Sequence, residues 1–154
     1  MIKLMSGDIF RSDCKILVNT VNCKGAMGKG LALQFKERYP YMYLAYRSVC
    51  GGYLRNGGDI WLWRNQDTQT TIDGEVKHDV LCFATKEDWR NPSDIKWIER
   101  GLVNFREMVQ NDKSIYSTAF PKLGCSNGGL DWKDVWPVMK RYLEPLEIPV
   151  EIWI

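Results

Sequence analysis

The sequence predicts an α/β layered domain built on a mixed β-sheet, and three observations carry that expectation. At 154 residues the chain has the modal size of a single domain, and no repeat, linker or low-complexity tract divides residues 1–154. Short β-branched or apolar runs alternate with longer stretches of helical spacing, in the order β-β-α-α-β-β-α-β-α-β. Twice a strand leads through a glycine-rich loop into a helix, first through "NCKGAMGKG" and later through "KLGCSNGGLDW". In sheets of this class ligands lodge beyond the carboxyl ends of the strands, where such loops gather.

Each element has a local reason. "IKLM" and "KILVN" are β-branched or apolar runs bounded by Gly, Asp or Asn, and read as strands. "GLALQFKERYP" sets Leu31, Ala32, Phe35 and Tyr39 at helical spacing and is stopped by Pro40. A second helix over "YMYLAYRSVC" ends at Gly51 and Gly52. "DIWLWR" and "DVLCFAT" flank a polar loop as an antiparallel pair would. Asn91-Pro92-Ser93 is expected to open the next helix, which runs to about Gln110 with Ile95, Ile98, Leu102 and Phe105 on its buried face. "SIYSTAF" reads as a strand, "DWKDVWPVMKRYL" as a helix capped by Asp131, and "VEIWI" as a closing strand. Pro137 inside that helix predicts a kink or an early helix start. Trp61, Trp63, Trp97 and Trp136 fall at core-facing positions of these elements.

Composition excludes several function classes. Hydrophobic residues at 45% and charged residues at 26% are ordinary globular usage. The net charge of +2 is too small to announce a polyanion partner. The apolar runs are strand-sized and "MIKLMSGDIF" has no signal-peptide core, so a soluble cytoplasmic protein without membrane association is expected. The five cysteines, Cys14, Cys23, Cys50, Cys82 and Cys125, are odd in number and contain no C-x-x-C pair, which argues for reduced thiols and against a cysteine zinc site. His78, the single histidine, lies in the polar stretch "TIDGEVKHD" and reads as a solvated loop residue, which leaves little room for histidine triads or histidine-rich metal sites.

The two loops carry the chemistry. Glycine lets backbone amides approach a ligand closely, and a following helix N-terminus adds about half a positive charge, so both loops suit phosphates. A tight strand-to-helix connection explains either loop alone; two of them match the two charges of a pyrophosphate. "GAMGKG" is not a Walker loop, because Lys29 is followed by glycine rather than Ser or Thr, and its G-x-x-G-x-G spacing is not the Rossmann fingerprint.

"SGDIF", "NTVNCKGAMGKGLALQFKERYP", "TKEDWR" and "PKLGCSNGGLDW", in this order and spacing, resemble the macro domain family. The likeness covers essentially the whole chain and is greatest to the DNA ADP-ribosyl glycohydrolase (antitoxin) branch, which is in turn similar to the terminal ADP-ribose protein glycohydrolase. It implies a three-layer α/β/α fold with a central mixed sheet, ADP-ribose in a cleft, no metal and no redox cofactor. The implied ADP-ribose site comprises Asp8, Ile9, Thr20, Asn22, Met27, Gly28, Lys29, Gly30, Thr85, Leu123, Gly124, Cys125, Ser126, Asn127, Gly128, Gly129 and Leu130. Within it, Asp8 is expected to accept from the adenine amino group beside the Ile9 backbone, Asn22 to reach distal-ribose hydroxyls, "GAMGKG" to wrap that ribose and a phosphate, and residues 124–130 to hold the diphosphate through their amides. Read alone, Asp8 is equally a turn residue and Asn22 a strand-end cap.

Lys86 ends the apolar strand "VLCFAT", where a partly desolvated amine at a cleft rim could attack an electrophilic anomeric carbon. The resemblance implies that it is the catalytic lysine, acting at C1″ of the distal ribose as a nucleophile or as an electrostatic and proton-handling group. Two departures from the family stand in the second loop, the first bearing on its width and the second on the substrate. Ser126 stands where near relatives commonly have glycine, and Gly128 stands where the protein-directed relative has an aspartate, which favours a DNA-directed activity. Trp89 offers a stacking face for an unpaired base and Arg90 a phosphate contact, with Lys24, Lys29 and Lys122 widening a positive rim for single-stranded DNA. The expectation is thus a monomeric hydrolase that removes ADP-ribose from a modified macromolecule, most naturally a DNA base. A non-catalytic ADP-ribose reader and an ADP-ribose 1″-phosphate phosphatase are the alternatives.

Overall fold

The computed structural model describes residues 1–66 and 78–154. The strands are β1 (Ile2–Met5), β2 (Ile16–Val21), β3 (Ile60–Trp63), β4 (Asp79–Ala84), β5 (Thr118–Phe120) and β6 (Val150–Trp153), and the helices are α1 (Gly30–Arg38), α2 (Pro40–Val49), α3 (Ile95–Asn111) and α4 (Trp132–Leu143). The strands form a single sheet in the order β1-β6-β5-β2-β4-β3. The β1–β6, β6–β5, β5–β2 and β2–β4 pairs are parallel, and β3 closes one edge antiparallel to β4, so the sheet is mixed as expected.

Side-chain alternation along the central strands assigns the two faces. Ile16 and Val18 of β2, with Leu81 and Phe83 of β4, pack against Ile98, Leu102 and Phe105 of α3 and Val135, Met139 and Leu143 of α4. Leu17 and Val21, with Val80, Cys82 and Ala84, face Phe35 of α1 and Met42 and Tyr46 of α2. One helix pair thus covers each face, which makes three layers. Each of these large side chains contributes about 1.5–3 kcal/mol by leaving water. β4 is buried along its whole length, which is why "VLCFA" is continuously apolar rather than alternating.

Three local expectations change, and one proline is placed. The N-cap of α3 is Asp94, whose side chain accepts from the Lys96 amide at 2.9 Å; Ser93 is buried just ahead of it instead of opening the helix. β5 is confined to Thr118–Phe120, because only these residues of "SIYSTAF" pair with β2 and β6. Pro137 lies inside α4, which starts at Trp132 as its Asp131 cap predicts; the proline removes one donor to the preceding turn. His78 is buried, with Nδ1 2.8 Å from the Cys14 carbonyl, since β4 begins at the next residue and draws it against the start of β2. Residues 67–77 of the loop in which it was read lie outside the described residues. Among the described residues no helix is long and apolar enough to cross a membrane.

Candidate functional site

Because β1, β2, β4, β5 and β6 run parallel, their carboxyl ends emerge along one edge of the sheet. A cleft of about 990 Å³ opens there. It is lined by Thr20, Asn22, Met27, Gly28 and Lys29 from the end of β2, Thr85, Lys86, Trp89 and Arg90 from beyond β4, residues 124–129 from beyond β5, and Trp153 of β6. A smaller hollow of about 400 Å³ lies beyond β1 against Gly7, Asp8, Ile9 and Gln34, and shares Leu31, Pro121 and Trp153 with the cleft. The predicted loops therefore do converge. Leu123 does not line either space: it is fully buried in the core beneath its loop. Leu130 packs partly buried against that same core.

The first loop is held by its own asparagine. Asn22 Oδ1 accepts from the Lys24 amide at 2.9 Å and the Ala26 amide at 3.4 Å, while Nδ2 donates to the Ala26 carbonyl at 2.8 Å. The buried Tyr46 hydroxyl donates to the Asn22 carbonyl at 2.6 Å and lies 3.1 Å from Oδ1. Asn22 thus stands in the cleft wall chiefly as the organiser of the loop, with one Nδ2 hydrogen left over. At the start of α1, Lys29 occupies the cap position without a side-chain bond, and Leu31 and Ala32 of the first turn line the cleft. The positive end of that helix dipole is directed at the site without a carboxylate of its own.

The second loop is a closed ring. Leu130 N–H donates to the Gly124 carbonyl at 2.9 Å, Gly129 N–H to Ser126 at 3.3 Å and Cys125 N–H to Lys122 at 3.3 Å. This leaves the amide of Gly124 and the three consecutive amides of Ser126, Asn127 and Gly128 without an intramolecular partner among the described residues, a narrower donor set than the whole of residues 124–130. Three adjacent amides of this kind form a concave anion cradle. Gly124 adopts φ +71°, which favours glycine, whereas Gly128 is required for space: a Cβ there would fall 2.3 Å from Ser93 Oγ and 2.4 Å from the Gly124 carbonyl oxygen. Ser93 N–H donates to the Gly128 carbonyl at 2.9 Å and so ties the loop to the start of α3. The α4 end contributes less charge than the α1 end, because the Asp131 carboxylate caps it as expected, accepting from Lys133 N–H at 3.0 Å. Cys125 lines the cleft, but burial raises its thiol above the ordinary value and keeps it protonated.

Between the loops stands Lys86. The Thr85 and Lys86 amides donate to the Val21 carbonyl at 3.1 and 3.4 Å, and Cys23 N–H donates to the Glu87 carbonyl at 3.0 Å. The lysine backbone is therefore stitched to the end of β2, and Lys86 Nζ lies 3.4 Å from the Trp89 carbonyl. Burial pushes the neighbouring Cys23 thiol up to about 12, so it offers no competing nucleophile. Trp89 is 55% exposed on the rim, not a core residue. Arg90 is exposed and its guanidinium lies 5.6 Å from the Trp89 ring centre. Nε and one terminal nitrogen of Arg90 donate to Asp88 at 3.0 and 2.7 Å, and these bonds hold the Asp88 carboxyl far below its usual range.

In the smaller hollow, Asp8 Oδ1 caps a single 3₁₀ turn by accepting from Phe10 N–H at 3.0 Å, and Oδ2 lies 4.0 Å from Arg38. Trp153 was not singled out in the sequence. Its indole N–H donates to Glu151 at 3.0 Å, and Glu151 also accepts from Ser12 at 2.6 Å, which fixes the ring between the hollow and the cleft. The rule that ligands gather at carboxyl strand ends would have flagged it, since Trp153 is the last residue of β6. Among the described residues no group of three His, Cys, Asp or Glu side chains could hold a metal ion.

The family model of the macro domain matches residues 18–139. A DNA ADP-ribosyl glycohydrolase of Mycobacterium tuberculosis is 45% identical over 136 residues, covering 88% of this chain and 36% of the relative. A DNA ADP-ribosyl transferase–DNA ADP-ribosyl glycohydrolase fusion protein of Thermosipho africanus is 40% identical over 164 residues, covering 99% of this chain and 42% of the relative. The chain thus spans about two fifths of the length of these curated relatives. Among solved structures, the macrodomain of M. tuberculosis DarG superimposes with a TM-score of 0.89 at 38% identity, covering 99% of this chain and 97% of the other. T. africanus DarTG in complex with ADP-ribose gives 0.91 at 38% identity, covering 99% of this chain and 41% of the other.

Proposed function

This chain belongs to the macro domain family, and from that premise we propose that it is a hydrolase that removes ADP-ribose from modified DNA bases, with Lys86 acting at C1″ of the distal ribose. The observation that carries the reading is the juxtaposition of an amine, Lys86, with a phosphate-sized amide cradle and an uncapped helix start in one cleft. The likeness to relatives named DNA ADP-ribosyl glycohydrolase supports it.

The two spaces, which share Leu31, Pro121 and Trp153, support a ligand that runs through both. Adenine enters the hollow between Asp8 and Trp153, the diphosphate meets the amides of residues 126–128 and the start of α1, and the distal ribose turns C1″ toward Lys86. In the reaction the bond between C1″ and the base breaks, its electron pair stays with the base, and the base takes up a proton. Water supplies the hydroxyl that ends on C1″, so ADP-ribose and the unmodified base are released. Trp89 and Arg90 at the rim hold the single-stranded DNA that carries the modification, the tryptophan by stacking and the arginine, already oriented by Asp88, by its remaining guanidinium donors. The phosphatase alternative loses support, because the single histidine packs near the amino end of β4, away from the cleft.

The test incubates the chain separately with ADP-ribosylated single-stranded DNA, ADP-ribosylated protein and ADP-ribose 1″-phosphate. Loss of the modification from DNA is expected. K86A should slow it at least about a hundredfold, the scale of a general acid–base group, while binding free ADP-ribose nearly as well. K86R keeps the charge but cannot form a covalent Schiff base: rescue assigns an electrostatic role, and failure a nucleophilic one. A wild-type chain that binds ADP-ribose yet clears no substrate is a reader, and this proposal would then be wrong.

A further inference from the structure

We propose that Glu87 is a positioning residue for Lys86, and that it acts by fastening the lysine-bearing turn to a rigid bracket formed by residues 56–59. The inference rests on the reading of Lys86 just given. The bracket lies at the same end of the sheet as the cleft, where antiparallel β3 begins. It is fixed to α3 by side chains: Arg100 donates to the Gly57 carbonyl at 2.9 Å and pairs with Asp59 at 2.7 Å, and Asn104 donates to the Gly58 carbonyl at 3.0 Å. It is also fixed to β4, since Gly58 N–H donates to the Ala84 carbonyl at 2.7 Å and Ala84 N–H to the Asp59 carbonyl at 2.9 Å. Gly57 lies so close to the Trp97 ring that a Cβ would fall 2.2 Å from it.

From this bracket one donor points at the cleft turn. Gly57 N–H donates to Glu87 Oε2 at 2.9 Å, a charge-assisted bond. On its other side the same residue is held by the first loop, because its carbonyl accepts from Cys23 N–H at 3.0 Å. The residue next to Lys86 is therefore clamped from both sides, by its backbone to the loop after β2 and by its side chain to the bracket. Neither bond reaches the ADP-ribose space, for Glu87 does not line the cleft. Its contribution is to the direction of the Lys86 amine, and a displacement of about 1 Å at a reacting centre costs up to a hundredfold in rate.

The test compares E87A, E87Q and K86A on an ADP-ribosylated single-stranded oligonucleotide, with free ADP-ribose affinity by calorimetry and melting temperature measured alongside. E87A is expected to lower kcat tenfold or more, with KM and ADP-ribose affinity within about twofold of wild type. E87Q keeps an oxygen that can accept from Gly57 and is expected to recover most of the rate. Wild-type kcat in E87A beside an inactive K86A would overturn the positioning role alone. Loss of ADP-ribose affinity in proportion to rate, or E87Q as slow as E87A, would overturn it too. A K86A chain that still cleaves would remove the reading beneath it.

Discussion

Asp8 serves the fold with one oxygen, and the proposed function gives the other to a ligand. Oδ1 is engaged by Phe10 N–H, while among the described residues Oδ2 has only Arg38 at 4.0 Å. Asparagine at this position can keep the cap through its amide oxygen but presents an NH₂ group where adenine's amino group needs an acceptor. D8N is therefore expected to weaken ADP-ribose binding by about 1.5–3 kcal/mol, the scale of a hydrogen bond to a charged group, with no change in melting temperature. Calorimetry and a thermal melt separate the two effects; equal affinity would remove Asp8 from the adenine site. Residue identities of this kind were legible in the motifs, but their partners were not. Nothing in "NTVNCKGAMG" announces that Asn22 holds its own loop and the Tyr46 hydroxyl, because Tyr46 approaches from a helix twenty-four residues later.

At the scale of elements, the alternation of apolar runs and helical spacing indicated, in order, the strands and α-helices found among the described residues, because each has a continuous local pattern; the 3₁₀ turn Ile9–Arg11 is too short to have one. Boundaries set by tertiary pairing were hidden. β5 is short because only Thr118 and Ala119 find partners on both sides and Phe120 one on β6, and His78 is buried because the strand that follows it is central. The two helix starts at the glycine loops also differ: α4 begins on Asp131, the cap expected from its sequence, whereas α1 begins without a side-chain cap. D131A is accordingly expected to cost about 1 kcal/mol of stability, the usual loss for an N-cap. It should leave ADP-ribose affinity within about twofold, since the amides that Asp131 serves belong to α4 and not to the cradle. Denaturant melts and calorimetry on the same variant check both halves; a large loss of affinity would mean that the start of α4 takes part in binding.

For the molecule as a whole, the parallel topology explains why residues as distant as Asp8, Asn22, Lys86, Gly128 and Trp153 meet: each follows or ends a strand whose carboxyl terminus lies on the same edge. The sheet order separates β1 from β2 by two strands, so the smaller hollow and the cleft are spaced along that edge while β5 and β6 carry the loop and the tryptophan between them. A ligand long enough to occupy both spaces ties together segments from the first and last strands, and so stabilises the folded state as one unit. With free ADP-ribose at one hundred times its Kd, linkage gives about 2.7 kcal/mol of added stability. For a domain of this size that corresponds to a rise in melting temperature of roughly 5–10 °C. The rise should be unaffected by a chelator, because the cradle consists of amides and a helix start rather than metal ligands. Adenosine and ribose 5-phosphate, which each fill one space, should raise it far less even when added together. A shift that vanishes with chelator, or one matched by adenosine alone, would show that the two spaces do not act as a single site for ADP-ribose.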